Sequence, residues 1–128
     1  MSETRTALVV DDDAGSRRLL ARWLEEHGWT VLEARNGEGA LQSTRSAAVD
    51  LVLLDVRMPG IDGLHAAVVL RQNPALRQVP ILAVSASPQE TFRHRALAAG
   101  CSGFLSKPVN FKELQEEIAR LVPTERSP

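Results

Sequence analysis

Short apolar runs alternate along the chain with segments in which apolar side chains recur every three or four residues. Runs without polar alternation are typical of strands that helices cover on both faces of a parallel sheet. The predicted strands are 7–10, 30–34, 51–54, 79–85 and 103–106, and the predicted helices are 14–27, 37–46, 64–71, 87–100 and 110–122. This alternation predicts one α/β domain with a doubly wound, five-stranded parallel sheet and five helices.

Residues that start or stop helices support these boundaries. Gly28 suits the left-handed position that follows a helix, and Pro74 is expected to end the third helix. Ser87, followed three residues later by a glutamate, forms a capping box that predicts the start of the fourth helix. Asn110 repeats that pattern before the last helix. We assign 1–5 to an N-terminal tail, 6–122 to the folded domain and 123–128 to a C-terminal tail or the start of a linker.

Composition and charge narrow the range of functions. The 128 residues are 44% hydrophobic and 24% charged, which is ordinary for a globular domain, and the net charge is -1. No basic surplus favours a nucleic acid partner, and no long apolar run indicates a membrane segment or a signal peptide. The single cysteine, Cys101, fits a reducing compartment. We therefore expect a cytoplasmic protein without direct contact to nucleic acid or membrane.

Polar side chains follow four of the predicted strands. Asp55 ends the apolar run 51–54 and precedes turn residues at 58–63, whereas Asp11 and Asp12 follow the first strand. Ser85 and Lys107 end the fourth and fifth strands. Parallel strands bring their carboxyl ends to one edge, where α/β proteins bind ligands. Two carboxylates about 5 Å apart repel by roughly 3 kcal/mol at an effective dielectric of about 20, so the cluster calls for a cation.

The residue types at this edge indicate phosphoryl chemistry. Oxygen ligands without histidine or cysteine suit Mg²⁺, which often takes a phosphate as a further ligand. A carboxylate such as Asp55 can attack phosphorus and form an acyl phosphate, while Lys107 and the Ser85 hydroxyl share the charge on the phosphoryl oxygens. The sequence offers no general base and no obvious substrate pocket. We predict a site that receives a phosphoryl group, and no enzyme that turns over a diffusible substrate.

Four motifs resemble those of the receiver domain of two-component response regulators, and of its chemotaxis-receiver-like members in particular. Their order and spacing together are specific, and they cover the chain from about residue 6 to residue 122. The motifs are Leu8–Asp12, Asp50–Gly63, Ile81–Ala86 and Gly103–Pro108. The resemblance implies a flavodoxin-like sheet with the strand order 2-1-3-4-5.

The resemblance also implies a role for each matching acid. Asp55 would be the phosphoacceptor and would bind Mg²⁺ together with Asp12. Asp11 would hold the ion through water, and the backbone carbonyl of Arg57 would complete the protein's share of the ligands.

A switch and its partners follow from the same resemblance. Ser85 would move towards the phosphoryl group, Lys107 would pair with it, and Phe104 would follow into the vacated space. The face formed by helix four, strand five and helix five would then change shape for a downstream protein target or an output domain. The phosphodonor would be a sensor histidine kinase or a histidine phosphotransfer protein. Whether the chain works alone or as one domain of a longer protein stays open.

Two other classes of function remain as alternatives. A constitutive interaction module would keep the fold without phosphorylation. A small Mg²⁺-dependent phosphatase would use the same aspartate nucleophile, but it needs a second acid two residues after Asp55, where this chain has Arg57.

Overall fold

A five-stranded parallel sheet with helices on both faces forms the domain, as a computed structural model shows for residues 5–56, 61–86 and 90–122. The strand order is 2-1-3-4-5 and every pair is parallel, which confirms the predicted fold class. The elements in chain order are β1 Arg5–Val10, α1 Ala14–Glu26, β2 Trp29–Ala34, α2 Gly37–Ser46, β3 Leu51–Val56, α3 Ile61–Arg71, a 3-10 turn Pro74–Leu76, β4 Ile81–Ser85, α4 Glu90–Ala99, β5 Gly103–Ser106 and α5 Phe111–Leu121.

Two hydrophobic layers cover the two faces of the sheet. Successive strand residues point to opposite faces, so Leu8 packs with α2, α3 and α4 whereas its neighbour Val9 packs with α1 and α5. Trp23 of α1 stacks on Phe111 of α5 with 5.5 Å between ring centroids, which ties the two helices together. In the described part of the chain, no helix is long and apolar enough to cross a membrane.

Several predicted boundaries are confirmed. β5 spans the predicted residues, and the Asn110 side chain accepts a hydrogen bond of 3.0 Å from the Glu113 N–H at the start of α5. Gly28 has a φ of 92°, the left-handed conformation expected after α1. Asn36 caps α2 by accepting from the Gly39 N–H at 2.8 Å. The capping box predicted at 87–90 lies outside the described residues, apart from the backbone of Glu90.

Other boundaries differ from the prediction. β4 begins at Ile81 instead of Val79, because the Val79 N–H donates to the Leu76 carbonyl and Pro80 has no N–H to donate. α3 ends at Arg71 as predicted, but it begins at Ile61 instead of Leu64, and Pro74 starts a 3-10 turn that Asn73 caps. The turn predicted at 58–63 extends too far, since α3 begins at Ile61. Gly63 therefore lies in the first turn of α3, where a glycine is tolerated because few intrahelical hydrogen bonds form there.

Candidate functional site

The strand register brings the predicted polar groups to one edge of the sheet. Asp11 follows β1 directly, and Asp55 is the penultimate residue of β3, where it pairs with Val84 of β4. Ser85 is the last residue of β4, and it pairs with Ser106, the last residue of β5. Lys107 therefore follows directly after the strand position that pairs with Ser85. The edge of four neighbouring strands therefore carries the predicted site, as the positions of the apolar runs indicated.

Three carboxylates meet at this edge. One ligand atom from each of Asp11, Asp12 and Asp55 lies within 4.8 Å of the others. Asp11 is buried, Asp12 is exposed and the Asp55 side chain is only 2% exposed. At this separation two negative charges repel by about 3 kcal/mol if the effective dielectric is about 20. The cluster therefore stores electrostatic repulsion that a bound cation would relieve.

Asp11 carries a strongly perturbed carboxyl group. Its pKa is raised to about 6, mainly by burial and in part by the neighbouring Asp55, although the hydrogen bond from the Asp13 N–H and the charge of Lys107 lower it. That hydrogen bond, 2.9 Å long, goes to Asp11 Oδ1. Asp11 Oδ2 is buried and accepts no hydrogen bond from the described residues. A buried carboxylate oxygen without a donor is the arrangement expected of a metal ligand or of its water-bridged neighbour.

Lys107 supplies the positive charge of the site. Its Nζ lies 2.7 Å from Asp55 Oδ1, and its backbone N–H donates to the Ser85 carbonyl at 2.9 Å. The Lys107-Pro108 peptide bond is cis. Ser85 is 1% exposed and lies between the strands that carry Asp55 and Lys107. The structure thus brings the Asp55 carboxylate and the Lys107 ammonium together, and it places Ser85 at the end of the strand that lies between β3 and β5.

The structure describes the predicted switch residue Phe104 but not the predicted carbonyl ligand Arg57. Phe104 is half-buried against the layer that contains α3 and α4, and the Arg93 guanidinium carbon lies 5.8 Å from its ring centroid. Arg57 lies outside the described residues. Asp13, the third acid after β1, caps α1 by accepting from the Ser16 N–H at 2.9 Å.

Sequence reasoning missed Arg17. Its Nη1 donates to the Asp11 carbonyl at 2.9 Å, and its Nε donates to Glu33 Oε1 at 2.9 Å. An arginine in the first turn of a helix that follows an acidic loop is the only local signal, and such a residue is usually solvated. The contact to β2 could not be seen without the fold.

The donor set fits a hard divalent cation. Among the described residues, the cluster offers three carboxylates whose ligand atoms lie close together, a buried Asp11 oxygen without a hydrogen-bond donor, and no sulfur or imidazole. This donor set is typical of a magnesium site. The single ammonium of Lys107 leaves the four groups with a surplus of negative charge.

Comparison with known proteins agrees with this geometry. Residues 7–119 match the family model of the response regulator receiver domain. The chain is 36% identical over 115 residues to the transcriptional regulatory protein ResD of Bacillus subtilis, covering 90% of this chain and 47% of ResD. It is 29% identical over 115 residues to the polar-differentiation response regulator DivK of Brucella abortus, covering 90% of this chain and 94% of DivK.

A solved structure shows the same fold. The chemotaxis protein CheY4 of Vibrio cholerae superposes with a TM-score of 0.87 at 27% identity, covering 94% of this chain and all of that one. The chain thus spans less than half of ResD but nearly the whole of DivK and CheY4. Receiver domains are signalling modules of two-component systems, and they bind Mg²⁺ in an acidic pocket. This chain belongs to the response regulator receiver domain family.

Proposed function

We propose that Asp55 is the phosphoacceptor of this receiver domain. The observation that carries the proposal is the convergence at Asp55, which lies within 4.8 Å of two further carboxylates and 2.7 Å from an ammonium. A carboxylate surrounded in this way can accept a phosphoryl group only if cations offset the charge of both partners. Lys107 supplies one of these cations.

Magnesium is the proposed second cation. Asp12 and Asp55 would bind it, Asp11 would hold it through water, and the carbonyl of Arg57, which lies outside the described residues, stays a predicted ligand. When bound, Mg²⁺ would offset the carboxylate charges and share the charge on the phosphoryl oxygens. The buried Asp11 Oδ2 supports this proposal because a bound water or cation would complete its coordination.

The phosphoryl transfer is a substitution at phosphorus. An Asp55 carboxylate oxygen attacks, a new O–P bond forms, and the bond from phosphorus to the leaving group breaks with its electron pair on that group. The leaving group is the imidazole of a phosphohistidine or the carboxylate of acetyl phosphate. Lys107 and the Ser85 hydroxyl then pair with the phosphoryl oxygens, which requires Lys107 to exchange its carboxylate partner for the new group. Attack by water reverses the modification and releases phosphate.

The proposed output is a shift between two arrangements of the same face. Ser85 would move towards the phosphoryl oxygens, and Phe104 would turn inward from its half-buried position. The face of α4, β5 and α5 would then bind a downstream protein target or an output domain. Because the phosphoryl group makes contacts only in one arrangement, it shifts the population towards that arrangement. A sensor histidine kinase or a phosphotransfer protein would donate the group.

Intact mass spectrometry after incubation with acetyl phosphate and Mg²⁺ tests the phosphoacceptor. We expect a phosphate-sized gain in the wild type and in Asp13→Asn, and none in Asp55→Asn or without divalent cations. Asp13→Asn is the matched control, because it removes a nearby carboxylate while asparagine still caps α1. An equal gain in Asp55→Asn would exclude Asp55 as the acceptor.

A further inference from the structure

Asp11 is held on three sides by hydrogen bonds. Its backbone N–H donates to the Ala34 carbonyl at 3.0 Å, and its Oδ1 accepts from the Asp13 N–H at 2.9 Å. Its backbone carbonyl accepts from Arg17 Nη1 at 2.9 Å. Two of these contacts are local or part of the sheet, whereas the third depends on one side chain of α1. Arg17 is therefore the one replaceable side chain among these three restraints.

Arg17 is itself fixed by Glu33 of β2. The Arg17 Nε and Glu33 Oε1 are 2.9 Å apart, and the two side chains are 20% and 24% exposed. The second Glu33 oxygen contacts Arg18, but the Arg18 side chain is 51% exposed, so this pair contributes little to fixing Glu33. A guanidinium can donate in two fixed directions at once, which a lysine ammonium on a flexible stem does less well. The geometry needs that fork, since the carbonyl and the carboxylate lie on different elements.

We propose that Arg17 is a positioning residue for the divalent cation site. It contributes no ligand atom, but by holding the Asp11 carbonyl it sets where the Asp11 carboxylate lies relative to Asp12 and Asp55. The inference rests on the proposed function, because it assumes that this cluster binds Mg²⁺. Loss of a residue that orients a metal-binding group typically weakens metal affinity by about tenfold or more.

The affinity of the unphosphorylated protein for Mn²⁺, used as a paramagnetic probe of the magnesium site, tests the proposal without any phosphoryl transfer. Free Mn²⁺ is measured by electron paramagnetic resonance during a titration of the wild type, Arg17→Gln, Arg17→Lys and Arg18→Gln. Arg18→Gln is the matched control, since Arg18 also contacts Glu33 and is the next residue of the same helix. Circular dichroism shows that each variant is folded.

We expect Arg17→Gln to bind Mn²⁺ about tenfold more weakly, Arg17→Lys to remain clearly weakened, and Arg18→Gln to match the wild type. The proposal is overturned if Arg17→Gln binds as tightly as Arg18→Gln. If Arg17→Lys binds Mn²⁺ as tightly as the wild type, a positive charge at this position is sufficient, and the positioning role is also overturned. If Arg17→Gln does not fold, Glu33→Ala replaces it, because that variant removes the acceptor of the Arg17 Nε hydrogen bond and keeps the arginine. Affinity equal to the wild type in Glu33→Ala would then overturn the proposal.

The same titration separates this inference from the function on which it rests. Asp55→Asn should lose most of the Mn²⁺ affinity if the carboxylate cluster is the metal site. If the wild type and Asp55→Asn bind equally, the proposed metal site fails and the role of Arg17 fails with it. If Asp55→Asn is weakened and Arg17→Gln is not, the role of Arg17 alone fails.

Discussion

Lys107 Nζ lies 2.7 Å from Asp55 Oδ1, and this ion pair joins the end of β5 to β3 across the intervening strand β4. The Asp55 side chain is 2% exposed, whereas that of Lys107 is 26% exposed. A buried carboxylate in a cluster of acids is stable only if a cation compensates it. Lys107 therefore supports both the folded state and the proposed phosphoryl transfer, and the two roles respond differently to Mg²⁺.

We expect Lys107→Ala to lower the free energy of unfolding by about 1–2 kcal/mol without divalent cations, because the carboxylates lose a neighbouring positive charge. Added Mg²⁺ should restore part of this stability, but phosphorylation by acetyl phosphate should remain slow. Urea denaturation with and without Mg²⁺, together with the rate of mass gain, measures both effects. The control is Lys112→Ala, which removes an exposed lysine of α5. Equal unfolding midpoints for the two variants would contradict the prediction.

Asp11→Asn is expected to stabilise the protein in the absence of divalent cations. The substitution removes one of the three neighbouring negative charges, and the repulsion of each close pair amounts to about 3 kcal/mol before screening. We therefore expect the free energy of unfolding to rise by about 1–2 kcal/mol at neutral pH. The same variant should gain less stability from added Mg²⁺ than the wild type does. Thermal melting at several Mg²⁺ concentrations measures both quantities.

The variant Asp13→Asn tests whether the stability gain of Asp11→Asn depends on the position of Asp11 in the carboxylate cluster or only on the loss of a negative charge. Asp13 also precedes α1, but it caps the helix, and asparagine is an equally good cap. Its melting temperature and its response to Mg²⁺ should therefore stay close to those of the wild type. A similar gain of stability in Asp11→Asn and Asp13→Asn would show that the gain comes from the removed charge and not from its position in the cluster.

The fold was predictable where short-range signals decide the structure. Uninterrupted apolar runs located the strands, and the capping residue Asn110 located the start of α5. The order of the strands was not contained in these runs, since alternation predicts parallel pairing without saying which strands are neighbours. It came from the resemblance to a family. Pro80 shows a local limit, because it belongs to an apolar run but lacks the N–H that a strand residue donates.

The cluster of polar groups at the strand ends could be predicted from the parallel topology. The side chains that hold this cluster in place could not. Parallel strands place their carboxyl ends together, so acids that follow two strands had to approach each other. Arg17 and Arg71, in contrast, act through side-chain bonds to backbone carbonyls of distant segments. No sequence period encodes such bonds, because any carbonyl can accept them. Their partners become visible only when the whole fold is known.

Gly100→Ala is expected to destabilise the domain by about 2–3 kcal/mol. Gly100 has a φ of 107°, and an added Cβ would lie 2.7 Å from Arg71 Cγ. Arg71 cannot easily move away, because its Nε donates to the Gly100 carbonyl at 2.9 Å and its Nη1 donates to the Val79 carbonyl at 2.6 Å. The substitution therefore combines backbone strain with a displaced hydrogen-bond donor. Urea denaturation measures the loss.

Gly28→Ala provides the matched control for that loss. Gly28 has a φ of 92°, but an added Cβ would meet no atom within 4 Å. It should therefore cost only the backbone strain of a left-handed alanine, about 1 kcal/mol. The difference between the two variants isolates the contact with Arg71. Equal losses would mean that Arg71 adjusts without cost.

Cys101 gives the protein a dependence on alkaline pH. Burial raises the pKa of its thiol from 9.0 to about 11, although the charge of Arg71 opposes the shift. Below about pH 9 the thiol is neutral in the folded and the unfolded chain. At higher pH the unfolded chain loses the proton first, so the free energy of unfolding should fall by about 2–3 kcal/mol as pH approaches 11. Cys101→Ala lacks this contribution, and the chain has no tyrosine that would titrate in the same range. Urea denaturation of both proteins from about pH 8 to about pH 11 should therefore show a stability difference that changes in favour of Cys101→Ala as pH rises, and a constant difference would contradict the raised pKa.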